Sequence, residues 1–101
     1  MTRTLYINRG KDYVDLYLEG EEGKHYFRIR NHEDIPTWYV VEEHLAVCPN
    51  EDRVIHVDSN PYRELNVDDL RGLVEKLTKE PQPTLAKLTG LRIRIEKVVV
   101  R

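Results

Sequence analysis

Residues 13–19 and 24–30 can pair in one register only, and two independent patterns choose it. They flank the turn Gly20-Glu21-Glu22-Gly23. Setting Glu19 opposite Lys24 fixes every other pair of an antiparallel hairpin. Val14, Leu16 and Leu18 then oppose Ile29, Phe27 and His25 on one face. On the other face Asp15 meets Arg28, Tyr17 meets Tyr26, and Tyr13 meets Arg30. Strand side chains alternate between faces, so a one-residue slip would turn the whole apolar set into water. Opposite charges and facing aromatic rings favour the same alignment. The hairpin therefore has one buried face and one solvent face rich in tyrosine and arginine.

A preceding strand at residues 4–8 extends this pattern. A turn around Gly10-Lys11 that pairs Asn8 with Tyr13 sets Ile7 opposite Val14 and Leu5 opposite Leu16. Both hairpins then bury the same face of the shared strand, which gives a three-stranded antiparallel meander packed on one side. Asn31 to Pro36 reads as a polar connection, with Ile35 pushed towards extended backbone by the proline after it. Residues 37–48 are ambiguous. The run Thr37-Trp38-Tyr39-Val40-Val41 has strand propensity, yet Trp38, Val41, Leu45 and Cys48 recur at helical spacing. We read two short strands, 37–41 and 45–48, split by a turn, with a helix as the alternative. Pro49-Asn50-Glu51-Asp52 predicts a turn, 53–57 a strand and 58–61 a loop.

The main helix is predicted over 67–79. Asn66 would cap it, Asp68 and Asp69 would sit in its first turn, and Lys76 and Lys79 near its end, an order that suits the helix dipole. Val67, Leu70, Leu73, Val74 and Leu77 form its apolar stripe. Pro81 stops it. A short helix at 84–89 would end on Gly90 as a C-cap. A terminal strand at 91–100 follows, with Leu91, Ile93 and Ile95 alternating with Arg92, Arg94 and Glu96. The break at Lys97 predicts a bulge or an exit from the sheet. The expected fold is a single α+β domain over residues 1–101: an antiparallel sheet, formed by the meander and the C-terminal strand, packed on one main helix.

Composition narrows the function classes. The chain has 101 residues and a net charge of −2, which argues against generic charge-driven binding to nucleic acid. A single cysteine, Cys48, excludes an intrachain disulfide and fits a reducing cytoplasm. No apolar run approaches the roughly 18 residues of a membrane span, and the first strand pattern starts without a leader-like segment. Charged residues are 34% of the chain and Gln82 is the only glutamine, a composition resembling that of thermophile proteins.

No sequence pattern points to a cofactor or a metal. His44 and Cys48 have chelating spacing only on a helix, and two ligands are not a site. Asp15 with Glu22-Gly23-Lys24 has the residue types of a nuclease, but Glu22 falls in a turn. Cys48 lacks an activating neighbour, and no glycine-rich phosphate loop is present. A hydrolase or nuclease is the residual alternative. Two binding surfaces remain. On the meander's polar face Tyr13, Tyr17, Tyr26, Arg28 and Arg30, joined by Arg92 and Arg94 if the last strand aligns with it, interleave rings and cations that can stack bases and neutralise phosphate. Tyrosines and Asp–Arg pairs also stabilise an ordinary solvated sheet face. Val98, Val99 and Val100 form a β-branched, uncharged run that would template pairing with another chain if it lies at a sheet edge. The sequence thus predicts a non-enzymatic binding or assembly module, self-associating or protein-binding, with nucleic acid as the alternative partner.

Overall fold

The computed structural model describes residues 3–20, 23–35, 38–48, 51–58, 65 and 67–101. It has α+β architecture. Strands β1 (Thr4–Arg9), β2 (Tyr13–Gly20), β3 (Gly23–Asn31), β4 (Tyr39–Cys48) and β5 (Glu51–Asp58) follow one another along the chain. Helices α1 (Leu70–Lys79) and α2 (Pro81–Thr89) come next, and β6 (Lys97–Val100) closes the fold. The sheet order is β5-β4-β3-β2-β1-β6. Consecutive strands from β1 to β5 are antiparallel.

The β2–β3 hairpin has the predicted register at every pair, from Tyr13 opposite Arg30 to Glu19 opposite Lys24. The β1–β2 hairpin does not. Asn8 lies opposite Asp15, Ile7 opposite Leu16 and Leu5 opposite Leu18, a shift of two residues from the expected pairing. A two-residue shift leaves every side chain on its own face, so the apolar pattern cannot detect it. The turn decides: Arg9 pairs with Val14, and the Gly10 N–H donates to the Tyr13 carbonyl at 2.8 Å.

Residues 39–48 form one strand, not two short ones and not a helix. Its register against β5 shifts between Glu43 and His44 and again between Ala46 and Cys48. Such bulges break the two-residue period of a strand, which explains the mixed sequence signal. Glu51 and Asp52 already belong to β5. Pro49 and Asn50 of the predicted turn, and residues 59–61 of the predicted loop, lie outside the described residues.

Helix α1 starts three residues later than predicted. Asp69 is the N-cap, its Oδ1 accepting from the Gly72 N–H at 2.8 Å. The predicted cap, Asn66, lies outside the described residues. Pro81 ends α1 by opening α2, where its missing N–H costs nothing in the first turn. Gly90 closes α2 with φ 75°, the left-handed backbone that favours glycine.

Both helices cover one face of the sheet. Leu73, Val74, Leu77, Leu85 and Leu88 join Leu5, Ile7, Val14, Leu16, Leu18, Phe27, Ile29, Tyr39 and Val41 in one core. The Tyr39 hydroxyl donates to the Val67 carbonyl at 3.2 Å, and the Lys76 ammonium to the Leu65 carbonyl at 3.1 Å. These contacts fix the approach to α1 against β4.

The C-terminal strand also departs from expectation. Residues 91–96 are not a strand, although Leu91, Ile93 and Ile95 do pack on the core. The broken alternation at Lys97 marks where the sheet strand begins. β6 runs parallel to β1, with Leu5 opposite Val98 and Ile7 opposite Val100, so the sheet is mixed. A hairpin must return antiparallel, but a helical crossover frees the direction of the next strand. Here the two helices carry the chain from the β5 edge to the opposite edge.

Candidate functional site: the polar sheet face and the β6 edge

Alternation along β1, β2 and β3 places Tyr6, Asn8, Tyr13, Asp15, Tyr17, Tyr26, Arg28 and Arg30 on the face turned away from the helices. Tyr17 and Tyr26, expected to be neighbours, meet edge to face with ring centroids 4.8 Å apart. Arg28 holds Asp15 through two parallel bonds, Nε to Oδ1 at 2.9 Å and Nη2 to Oδ2 at 3.2 Å. The same Nη2 donates to the Tyr26 hydroxyl at 3.2 Å. Tyr13 stands opposite Arg30 in the ladder, yet its ring takes the guanidinium of Arg28, 4.1 Å from the ring centroid.

This cluster sets its own protonation. The Asp15 hydrogen bonds hold the Arg28 guanidinium charged well beyond its ordinary range. Burial, reinforced by hydrogen bonding to Asp15 and its negative charge, raises Tyr26 far above the usual tyrosine value. A phenol pushed that way stays protonated at neutral pH and is a poor base or nucleophile.

Arg30 is paired as well. Its Nε donates to Glu42 Oε1 at 3.0 Å. Glu42 lies opposite Arg28, and Arg30 opposite Val40, so this is a diagonal cross-strand pair. Sequence pattern alone does not reveal Glu42 as the partner, because the bulges of β4 blur its alignment with β3. A strand reading of 39–48 in register with β3 would have found it.

Arg92 and Arg94 do not join this face. Both are exposed on residues 91–96, beyond the sheet, beside Gln82, Pro83 and Ala86 of α2. Arg94 sits 3.6 Å from Glu96. What reaches the polar face from the C-terminal end is Arg101, whose guanidinium lies 4.6 Å from the Tyr6 ring centroid.

His25 is half-buried on the core side beside the turn, stacked on Phe27 at 6.3 Å. His44 and Cys48 both lie on strand β4, not on the helix that their chelating spacing required. Among the described residues no group of three metal-ligating side chains converges. No described helix is long and apolar enough to cross a membrane.

The valine run occupies the outermost strand. The Arg101 N–H donates to the Ile7 carbonyl at 2.8 Å, and the Arg9 N–H to the Arg101 carbonyl at 3.4 Å. Backbone groups alternate sides along a strand, so Val99, like Arg101, bonds inward to β1, while just before β6 the Glu96 N–H donates to the Arg3 carbonyl at 3.1 Å. Val98 and Val100 turn their N–H and C=O groups outward. Val100 is the exposed large hydrophobic residue among those described. The other edge strand, β5, has the sequence Glu51-Asp52-Arg53 and Asp58 around an uncharged Val54-Ile55-His56-Val57 centre, so its charges, of the kind that discourage edge pairing, stand at its ends.

No protein-family model, curated protein or solved structure matches this chain.

Proposed function

We propose that the protein is a small assembly module that self-associates by antiparallel pairing of β6 with β6 of a second copy. The observation that carries this reading is the β6 edge itself: it presents Val98 and Val100 with outward backbone groups and no charge between Lys97 and Arg101. Antiparallel pairing of one edge with itself is self-complementary, as a two-fold dimer requires, and it would join two sheets into one.

The test is a proline at Val100. Its outward N–H takes no part in the β1–β6 ladder, and edge strands accept proline at such positions. Deleting the strand instead would bare β1 and confuse the result. In light scattering on the order of tens of micromolar, the wild type is expected to be a dimer and Val100→Pro a monomer with unchanged circular dichroism. A monomeric wild type would remove the proposal.

Nucleic-acid binding through the tyrosine-arginine face is the weaker reading. Arg28 and Arg30 already hold Asp15 and Glu42. Phosphate would have to displace both carboxylates, and Arg92 and Arg94 stand elsewhere. Mobility shift across a salt series tests it, since phosphate neutralisation gives a steep salt dependence.

A further inference from the structure

An open cleft of about 510 Å³ lies between the β1–β2 loop and the first turn of α1. Its size is that of small-molecule sites. Both walls are held in place. On the loop side, the Tyr13 ring lies so close over Gly10 that a Cβ there would come within 2.4 Å of it. The ring is fixed in turn by Arg28, and Arg28 by its two bonds to Asp15. On the helix side, the Asp69 cap fixes the first turn of α1. The polar sheet face thus buttresses the cleft.

The lining is divided by chemistry. Val14 and Val74, both buried, and half-buried Leu70 make an apolar floor. Lys11 and Arg71 stand exposed on the two walls, and neither forms an ion pair among the described residues. Arg28 and Arg30, by contrast, are neutralised by carboxylates. Of the two acidic lining residues, Asp69 already has an oxygen committed to the Gly72 N–H, and Asp12 stands exposed on the rim.

We propose that this cleft binds a small amphipathic anion, a compact apolar or aromatic body bearing one phosphate or carboxylate. The body would rest on Val14, Leu70 and Val74, and the anionic head would sit between Lys11 and Arg71. An apolar body buried on a preformed floor adds affinity that a bare ion lacks. The two cations supply charge-assisted bonds to the head.

The experiment is a two-dimensional amide NMR titration of the full chain with phenyl phosphate, inorganic phosphate and phenol as separate probes. Phenyl phosphate is expected to shift residues 9–14 and 69–74 saturably below about 10 mM, and each fragment to bind at least ~10-fold more weakly. The double variant Lys11→Glu, Arg71→Glu alters exposed positions only and is expected to lose about 10-fold or more in affinity with the spectrum otherwise retained. No saturable shift at these residues, equal binding of inorganic phosphate, or unchanged affinity in the double variant would each overturn the proposal.

Discussion

Leu73→Ala is expected to be among the costliest single changes in this protein. Leu73 has 0% of its surface exposed and sits where α1 presses on the meander. Alanine removes three carbons, about 2.4 kcal/mol at ~0.8 kcal/mol for each buried carbon. Incomplete collapse of the neighbours adds a cavity penalty, which brings the loss to roughly 2–5 kcal/mol. For a domain of this size that lowers the melting temperature by roughly 10–30 °C. Gly72→Ala, one position earlier, is the control of opposite sign. A Cβ there would meet Asp69 Oδ1 and the Val67 Cβ at 3.5 Å, ordinary van der Waals contact. The added methyl therefore brings helix propensity without a clash, a gain of about 0.5–1 kcal/mol. Urea denaturation followed by circular dichroism measures both. A loss under about 1 kcal/mol for Leu73→Ala would refute the packing of α1 on the sheet. A destabilised Gly72→Ala would refute the clash-free contact at that position.

Gly10→Ala should cost about 1–3 kcal/mol and displace the Tyr13 ring, because the new Cβ would overlap it; unchanged ring resonances of Tyr13 by NMR would contradict this. Asp15→Asn should lose about 1–2 kcal/mol in chemical denaturation, the low side for charged hydrogen bonds, because the Arg28 side chain is 38% exposed and remains solvated. Alkaline titration followed by tyrosine absorbance should show Tyr26 and Tyr39 ionising late. Burial raises both, with Asp15 adding to Tyr26 and the charges of Asp69 and Asp68 adding to Tyr39. Their neutral form is favoured by the fold, so the stability they contribute is intact below the ordinary tyrosine value of about 10 and is lost as pH rises through their raised values. Ionisation of all tyrosines together near pH ~10, with the fold intact, would rule this out.

The sequence was most legible where two signals overlapped. In the β2–β3 hairpin the apolar alternation and the Asp15–Arg28 pair chose one register, and the polar face followed from it. In the β1–β2 hairpin only alternation was available, and a period of two cannot tell Asn8–Tyr13 pairing from Asn8–Asp15. The backbone bond of Gly10 settles that, and no side-chain pattern reports it. The bulges in β4 blurred the strand period, which hid Glu42 and with it the neutralisation of Arg30. The alternation of Leu91, Ile93 and Ile95 reports burial correctly but not pairing, so the condition for Arg92 and Arg94 to join the polar face, a strand at 91–96 aligned with it, is not met. The cleft beside Lys11 and Arg71 was invisible for a related reason. It joins a loop near the start of the chain to a helix sixty positions later, an approach that no local pattern reports.

The pairing of β6 with β1 also has a kinetic consequence. Thr4 bonds beside Lys97 across nearly the whole described chain, whereas each hairpin from β1 to β4 closes over a few residues. Local pairs form quickly, and distant ones wait for the intervening chain to be ordered. The meander can therefore assemble as an early unit whose β1 edge stays open until both helices have docked. β6 would be the last strand to arrive and the first to leave. In the monomeric Val100→Pro chain the β6 amides should exchange with solvent faster than those of β2, through openings that leave the meander intact.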